Sequence, residues 1–172
     1  MKKIIILIAL VIVPALSFGQ STFDELENMD EVSSFFVNKE AFQLLQKFNP
    51  DMGGDNEALE VFKMIQDLKE LKVFKTNNSG ISKKMGVMVN ALVKKSNLTE
   101  LMRFKDKGSR AKIYVKTGGN SDTVSEVLMY VSGVSEMTNG QAESVVVSLT
   151  GVIDINKLSK LADKFTNSNK KK

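Results

Sequence analysis

The chain has 172 residues, with 24 Lys plus Arg against 20 Asp plus Glu, and it contains no Cys, no His and no Trp. Without His or Cys there is no Cys/His zinc site, no Ser-His-Asp triad, no cysteine nucleophile, no haem attachment and no disulfide framework. The length suits one domain with its own core, and the composition names no activity.

The first element is an export signal. Lys2 and Lys3 precede an apolar run over residues 4–16 that only Pro14 interrupts, and Ser17-Phe18-Gly19 sets small residues where a signal peptidase reads them. The run is shorter than the roughly 20 residues that cross a bilayer core. Cleavage after Gly19 is expected, giving a periplasmic or secreted protein. No Cys lies near that point, so a lipoprotein is not expected. Residues 20–30 read as an exposed lead-in, residues 31–166 as a single domain and residues 167–172 as a disordered basic tail.

Val32-Ser33-Ser34-Phe35-Phe36-Val37 is β-branched and aromatic enough for a first strand. Asn38 is placed to cap a helix in which Ala41, Leu44, Leu45 and Phe48 share one face, and Asn49-Pro50 ends it. Loop formers fill residues 51–56, after which Ala58, Val61, Phe62, Ile65 and Leu68 stripe a second helix. Leu71, Val73 and Phe74 suit a strand that closes at Asn77-Asn78-Ser79-Gly80. The third helix has the clearest signal. Met85, Met88, Val89, Leu92 and Val93 form a continuous apolar stripe, and Lys83, Lys84, Asn90, Lys94 and Lys95 face away from it.

After Ser96 the period changes to two, the pattern of antiparallel strands. Met102 and Phe104 alternate with Arg103 and Lys105. Asp106-Lys107-Gly108-Ser109 supplies a hairpin turn, and Ala111, Ile113 and Val115 alternate with Lys112, Tyr114 and Lys116. Residues 124–131 and 144–150 form two more strands. The last is apolar on both faces at Val145, Val146 and Val147, as a central strand would be. Asp154 caps a final helix whose Ile155, Leu158, Leu161, Ala162 and Phe165 face inward. The order β-α-α-β-α-β-β-β-β-α predicts an α+β fold, a mostly antiparallel sheet with amphipathic helices packed on one face and water on the other.

Few motifs carry chemistry. Ser109-Arg110-Ala111-Lys112 has the S-x-x-K spacing that brings a lysine beside a serine nucleophile on a helix, but on a strand the two side chains point to opposite faces. Asp51, Asp55, Asn56 and Glu57 set oxygens around Gly53-Gly54 without helix-loop-helix calcium spacing, and a capped loop accounts for them. Met85, Met88, Met129 and Met137 offer thioether sulfur, for which core packing is the preferred reading. No catalytic, cofactor or metal residue is assigned.

One surface is chemically distinctive. Arg103, Lys105, Arg110, Lys112, Tyr114 and Lys116 share one face of the predicted hairpin and form a candidate patch for an anionic partner. A single tyrosine offers little stacking, so nucleic acid is not expected. An envelope protein, a glycan or an anionic lipid is. Residues 20–70 hold 12 acids and 4 lysines while residues 71–172 hold 8 acids and 18 basic residues, so a solvated face turned toward the acidic half explains the same cations without a ligand.

The export signal, the strand over residues 32–37, the helix over 39–48, the strand over 71–74 before a long helix, Lys112-Ile113-Tyr114-Val115, and Ser144-Val145-Val146-Val147-Ser148-Leu149-Thr150-Gly151 leading into Asp154-Ile155 together resemble the exported Bacteroidetes proteins of domain of unknown function family 4252. The resemblance spans roughly residues 31–165. It implies an envelope protein with no assigned activity and no family active-site residues. Family members are often lipoproteins, and the missing cysteine departs from that pattern. The expectation is a non-enzymatic periplasmic binding or interaction module of the envelope, oligomeric state open. A carboxylate-dependent glycan hydrolase and a lipid-handling protein are the alternatives.

Overall fold

In the computed structural model, which describes residues 20–47, 67–118 and 122–155, the chain runs α1 (Gln20–Glu27), β1 (Ser33–Asn38), α2 (Lys39–Lys47), β2 (Leu68–Thr76), α3 (Ser79–Lys95), β3 (Thr99–Asp106), β4 (Ser109–Thr117), β5 (Thr123–Ser132) and β6 (Ser144–Asp154). The expected export signal, the loop expected at Gly53-Gly54, the helix expected from Ala58 to Ile65, the one expected beyond Ile155 and the basic tail lie outside the described residues.

The strands form one six-stranded sheet, antiparallel at every step, in the order β1-β2-β6-β5-β4-β3. The α+β class therefore holds. β3 and β4 are joined by a turn whose Lys107 and Gly108 have φ of 42° and 94°, the left-handed pair that matches the strand twist of a two-residue hairpin. β6 lies between β2 and β5, in agreement with its apolar residues on both sides.

Both sheet faces are covered, which corrects the expectation of helices on one face. Phe74, Tyr114, Leu128 and Val146 point to one side and pack under α1 and α3 with Phe23, Leu26, Met85, Val89, Leu92 and Leu98. Val115, Val127 and Ile153, of the other parity, pack with Phe42 of α2 and with Leu68. Register shifts at Leu68/Glu70 and Val124/Glu126 break the alternation and turn Leu68 and Val124 into this second core. Gly151 pairs with Leu68 in that irregular stretch. Its φ is 145°, and a Cβ there would lie 2.4 Å from the Asp67 carbonyl oxygen, so only glycine fits.

Three further expectations need correction. Residues 20–30 are not an exposed lead-in: residues 20–27 form α1, with Phe23 and Leu26 buried. The Phe23 ring stacks on Phe74 at 5.7 Å between centroids, and Lys72 Nζ lies 5.1 Å from the Phe23 centroid. Two apolar residues in eight give little periodicity, and so short a helix depends on tertiary packing. Leu68 belongs to β2 rather than to a helical stripe. In α2 it is Phe42 that is buried while Leu44 is exposed, although Asn38 does cap the helix through Oδ1, which accepts from the Ala41 amide at 2.9 Å.

α3 follows its pattern: Met85, Val89 and Leu92 are buried, and Lys83, Lys84, Asn90, Lys94 and Lys95 are exposed. Asn78 Oδ1 accepts from the Gly80 and Ile81 amides at 2.7 and 3.1 Å, while its Nδ2 donates to Glu31 at 2.8 Å, which ties the helix start to the segment after α1. Lys94 and Lys95 lie in the last turn, where their charge complements the helix dipole. No helix among the described residues is long and apolar enough to cross a membrane.

Candidate functional site

α3 lies over β2, β6 and β5 and stops short of the far edge of the sheet. The register then decides what this uncovered edge displays. Arg103 pairs with Lys112 and Lys105 with Arg110, so four cations occupy one face in two cross-strand pairs. Where the helix layer ends, a cleft of about 450 Å³ opens between Lys83, Gly86 and Asn90 of α3 and Arg110, Lys112 and Tyr130 of the sheet, and Glu143 also lines it. Tyr130 reaches across the floor and donates its hydroxyl to the Ser82 carbonyl at 3.0 Å. Gly86 makes room for it, since a Cβ there would lie 3.0 Å from the Tyr130 hydroxyl.

The cations are not equivalent. Arg103 is held by Glu100 in a two-pronged pair, Nε to Oε1 at 2.9 Å and Nη2 to Oε2 at 2.8 Å. That hydrogen bond, with smaller help from the charges of Arg103 and Lys112, lowers the Glu100 carboxyl below its ordinary range, and it raises Arg103 in turn. Lys83, Lys105, Arg110 and Lys112 form no ion pair within 4 Å among the described residues. Their charge is available to a ligand.

The other two predicted patch residues lie elsewhere. Tyr114 shares the strand face but is only 5% exposed, enclosed in the core beneath α1 and α3, so it offers no surface for stacking. Lys116 is exposed and stands opposite Glu126 in the β4–β5 register. Burial pushes the Glu126 carboxyl above its ordinary value, against the lowering effect of Lys116. Sequence reasoning missed Lys83, Asn90 and Glu143 as cleft residues. Lys83 and Asn90 were legible as outward-facing on their helix, but no local pattern places that flank beside β4.

Around the hairpin tip the chain forms a second cavity of about 640 Å³, in which Phe104, Val131, Val134 and Met137 stand beside the charged Asp106, Lys107 and Glu136. It shares Gly108, Arg110, Gly133 and Glu143 with the cationic cleft. Gly133 has φ 70°, and a Cβ on it would lie 2.5 Å from the Gly108 carbonyl oxygen, so the two turns meet where only glycine fits. Ser109, the serine of the S-x-x-K spacing, donates its hydroxyl to the Gly133 carbonyl at 2.7 Å. It pins this junction, with Lys112 on the opposite strand face.

Residues 24–161 match the family described as Domain of unknown function (DUF4252), and the chain belongs to that family. No curated protein and no solved structure matches it.

Proposed function

We propose that this member of the DUF4252 family is an exported, non-enzymatic binding module of the cell envelope that holds an anionic lipid by its headgroup. The observation that carries the reading is the cleft at the end of the helix layer, where Lys83, Arg110 and Lys112 converge without carboxylate partners among the described residues. A phosphate is recognised by such a cluster through charge-assisted hydrogen bonds. The adjoining cavity around the hairpin tip shares Arg110 and combines Phe104, Val131, Val134 and Met137 with Asp106, Glu136 and Glu143; its apolar part supports a lipid over a soluble glycan, because an acyl chain gains by leaving water for it. Glycan hydrolysis by paired carboxylates has its own support in the adjoining cavity, which Asp106, Glu136 and Glu143 line, whereas Glu143 is the one carboxylate among the described residues lining the cationic cleft. The export signal supports the location.

Co-sedimentation with phosphatidylglycerol vesicles, against phosphatidylcholine vesicles, tests the reading. Binding is expected to the anionic vesicles, weakening with salt, and the double variant Arg110→Glu/Lys112→Glu loses it by roughly tenfold or more. Equal binding to both vesicle types, or affinity unchanged in the double variant, overturns it. Recovery of the chain from the cytosol with Met1 retained overturns the location.

A further inference from the structure

We propose that the chain self-associates through β1, two copies pairing antiparallel so that their sheets continue as one. Among the described residues, β1 and β3 are the edges of the sheet. Each edge presents a row of backbone N–H and C=O groups that a further strand can satisfy. The two are defended differently. On β3, Lys105 and the Glu100-paired Arg103 point to the same face and a register shift at Glu100/Met102 interrupts the strand, so pairing β3 with a second β3 brings together two lysines, unpaired among the described residues, at an irregular edge. β1, reading Ser33-Ser34-Phe35-Phe36-Val37-Asn38, has no charged residue, no proline and no bulge. Its Phe35 and Phe36 are 59% and 52% exposed on opposite faces. Charge, proline and bulge, three of the usual devices that keep an edge from pairing, are thus missing from it.

The register follows from symmetry. A two-fold axis normal to the sheet returns each face to itself, so residues that oppose one another must share parity. Two registers then pair nearly the whole strand. With Phe35 on the axis, Phe36 faces Ser34 and Val37 faces Ser33, which mixes apolar with polar. With Phe36 on the axis, Phe36 faces its own copy, Phe35 faces Val37 and Ser34 faces Asn38, so like meets like. The second register is the one assigned. Lys72, whose Nζ is 5.4 Å from the Phe36 ring centroid, is paired with Glu70 at 3.1 Å, so neutralised pairs rather than bare cations approach the axis. The interface lies at the opposite edge from the cationic cleft and stands or falls independently of it.

Sedimentation velocity on the full chain over a range of concentrations is expected to show a monomer–dimer equilibrium. Phe36→Lys is expected to raise the dimer dissociation constant by roughly tenfold or more. Ser34→Lys, at a second exposed position, gives the same reading should Phe36→Lys fail to fold. Because the chain has no cysteine, one introduced thiol reports the register. Phe36→Cys sets two thiols on facing residues, whose Cα separation of roughly 4.5–5.5 Å permits a disulfide. Mild oxidation should cross-link it far faster than Val87→Cys, a control on the exposed side of α3. A wild-type monomer at every concentration, a dimer untouched by the lysine variants, or cross-linking at Phe36→Cys no faster than at Val87→Cys overturns the proposal.

Discussion

Leu26→Ala tests whether α1 is part of the folded domain. Leu26 is 1% exposed and lies in the core with Phe23, Phe74, Met85 and Val89. Truncation removes three carbons, at about 0.8 kcal/mol for each buried CH₂ or its equivalent, and a rigid cavity would add to that, up to about 5 kcal/mol in all. α1 has eight residues and is too short to persist undocked, so it is expected to loosen rather than span a void. Loosening in turn weakens the stack of Phe23 on Phe74. The expected loss is about 2.5 to 3.5 kcal/mol, between the transfer value and the full cavity value. Urea unfolding followed by far-ultraviolet circular dichroism measures it, with Glu25→Ala at an exposed position of the same helix as the control. A loss below about 0.5 kcal/mol, no larger than ordinary surface substitutions give, would refute the docking of α1 and restore the lead-in read from the sequence.

Three other expectations follow from the same packing. Gly133→Ala forces a Cβ to within 2.5 Å of the Gly108 carbonyl oxygen at φ 70°, so it should lower the thermal midpoint clearly, whereas Gly140→Ala, also at positive φ but with open space around it, should cost less; equal effects would rule out the close approach. Asn78→Ala removes the cap of α3 and the bond to Glu31, and a loss of about 1 kcal/mol or somewhat more in urea unfolding is expected, an unchanged midpoint being the contrary result. Glu126 binds its proton more tightly folded than unfolded because burial raises its carboxyl, so the native state is favoured below the unfolded value and loses that margin as pH rises through the raised native value. Urea midpoints of wild type and Glu126→Gln, compared upward from about pH 4, should diverge in favour of the variant, and a constant difference would contradict the burial.

The cleft was partly legible. Alternation along residues 103–116 places Arg103, Lys105, Arg110 and Lys112 on one side of a hairpin, and the observed register keeps them there. The same alternation includes Tyr114, because parity reports a shared face and not whether that face is covered at each point. α3 ends its reach between Tyr114 and Lys112, which makes one a core residue and the other a wall of the cleft.

The amino-acid order by itself determined what depends on neighbours in the chain. It specified the apolar stripe of α3, the Asn38 cap, the turn at Lys107 and Gly108, and the antiparallel character of the last four strands, since helical and strand periods and turn geometry act over a few residues. Tertiary structure alone decided the rest. α1 became a helix only because Phe74 and Met85 offered Phe23 and Leu26 a place to pack. Leu68 and Val124 reached the second core only through bulges set by pairing with partners distant in the chain. The side of the sheet a helix covers, and the edge it leaves bare, follow from contacts between residues far apart in sequence, which no local pattern encodes.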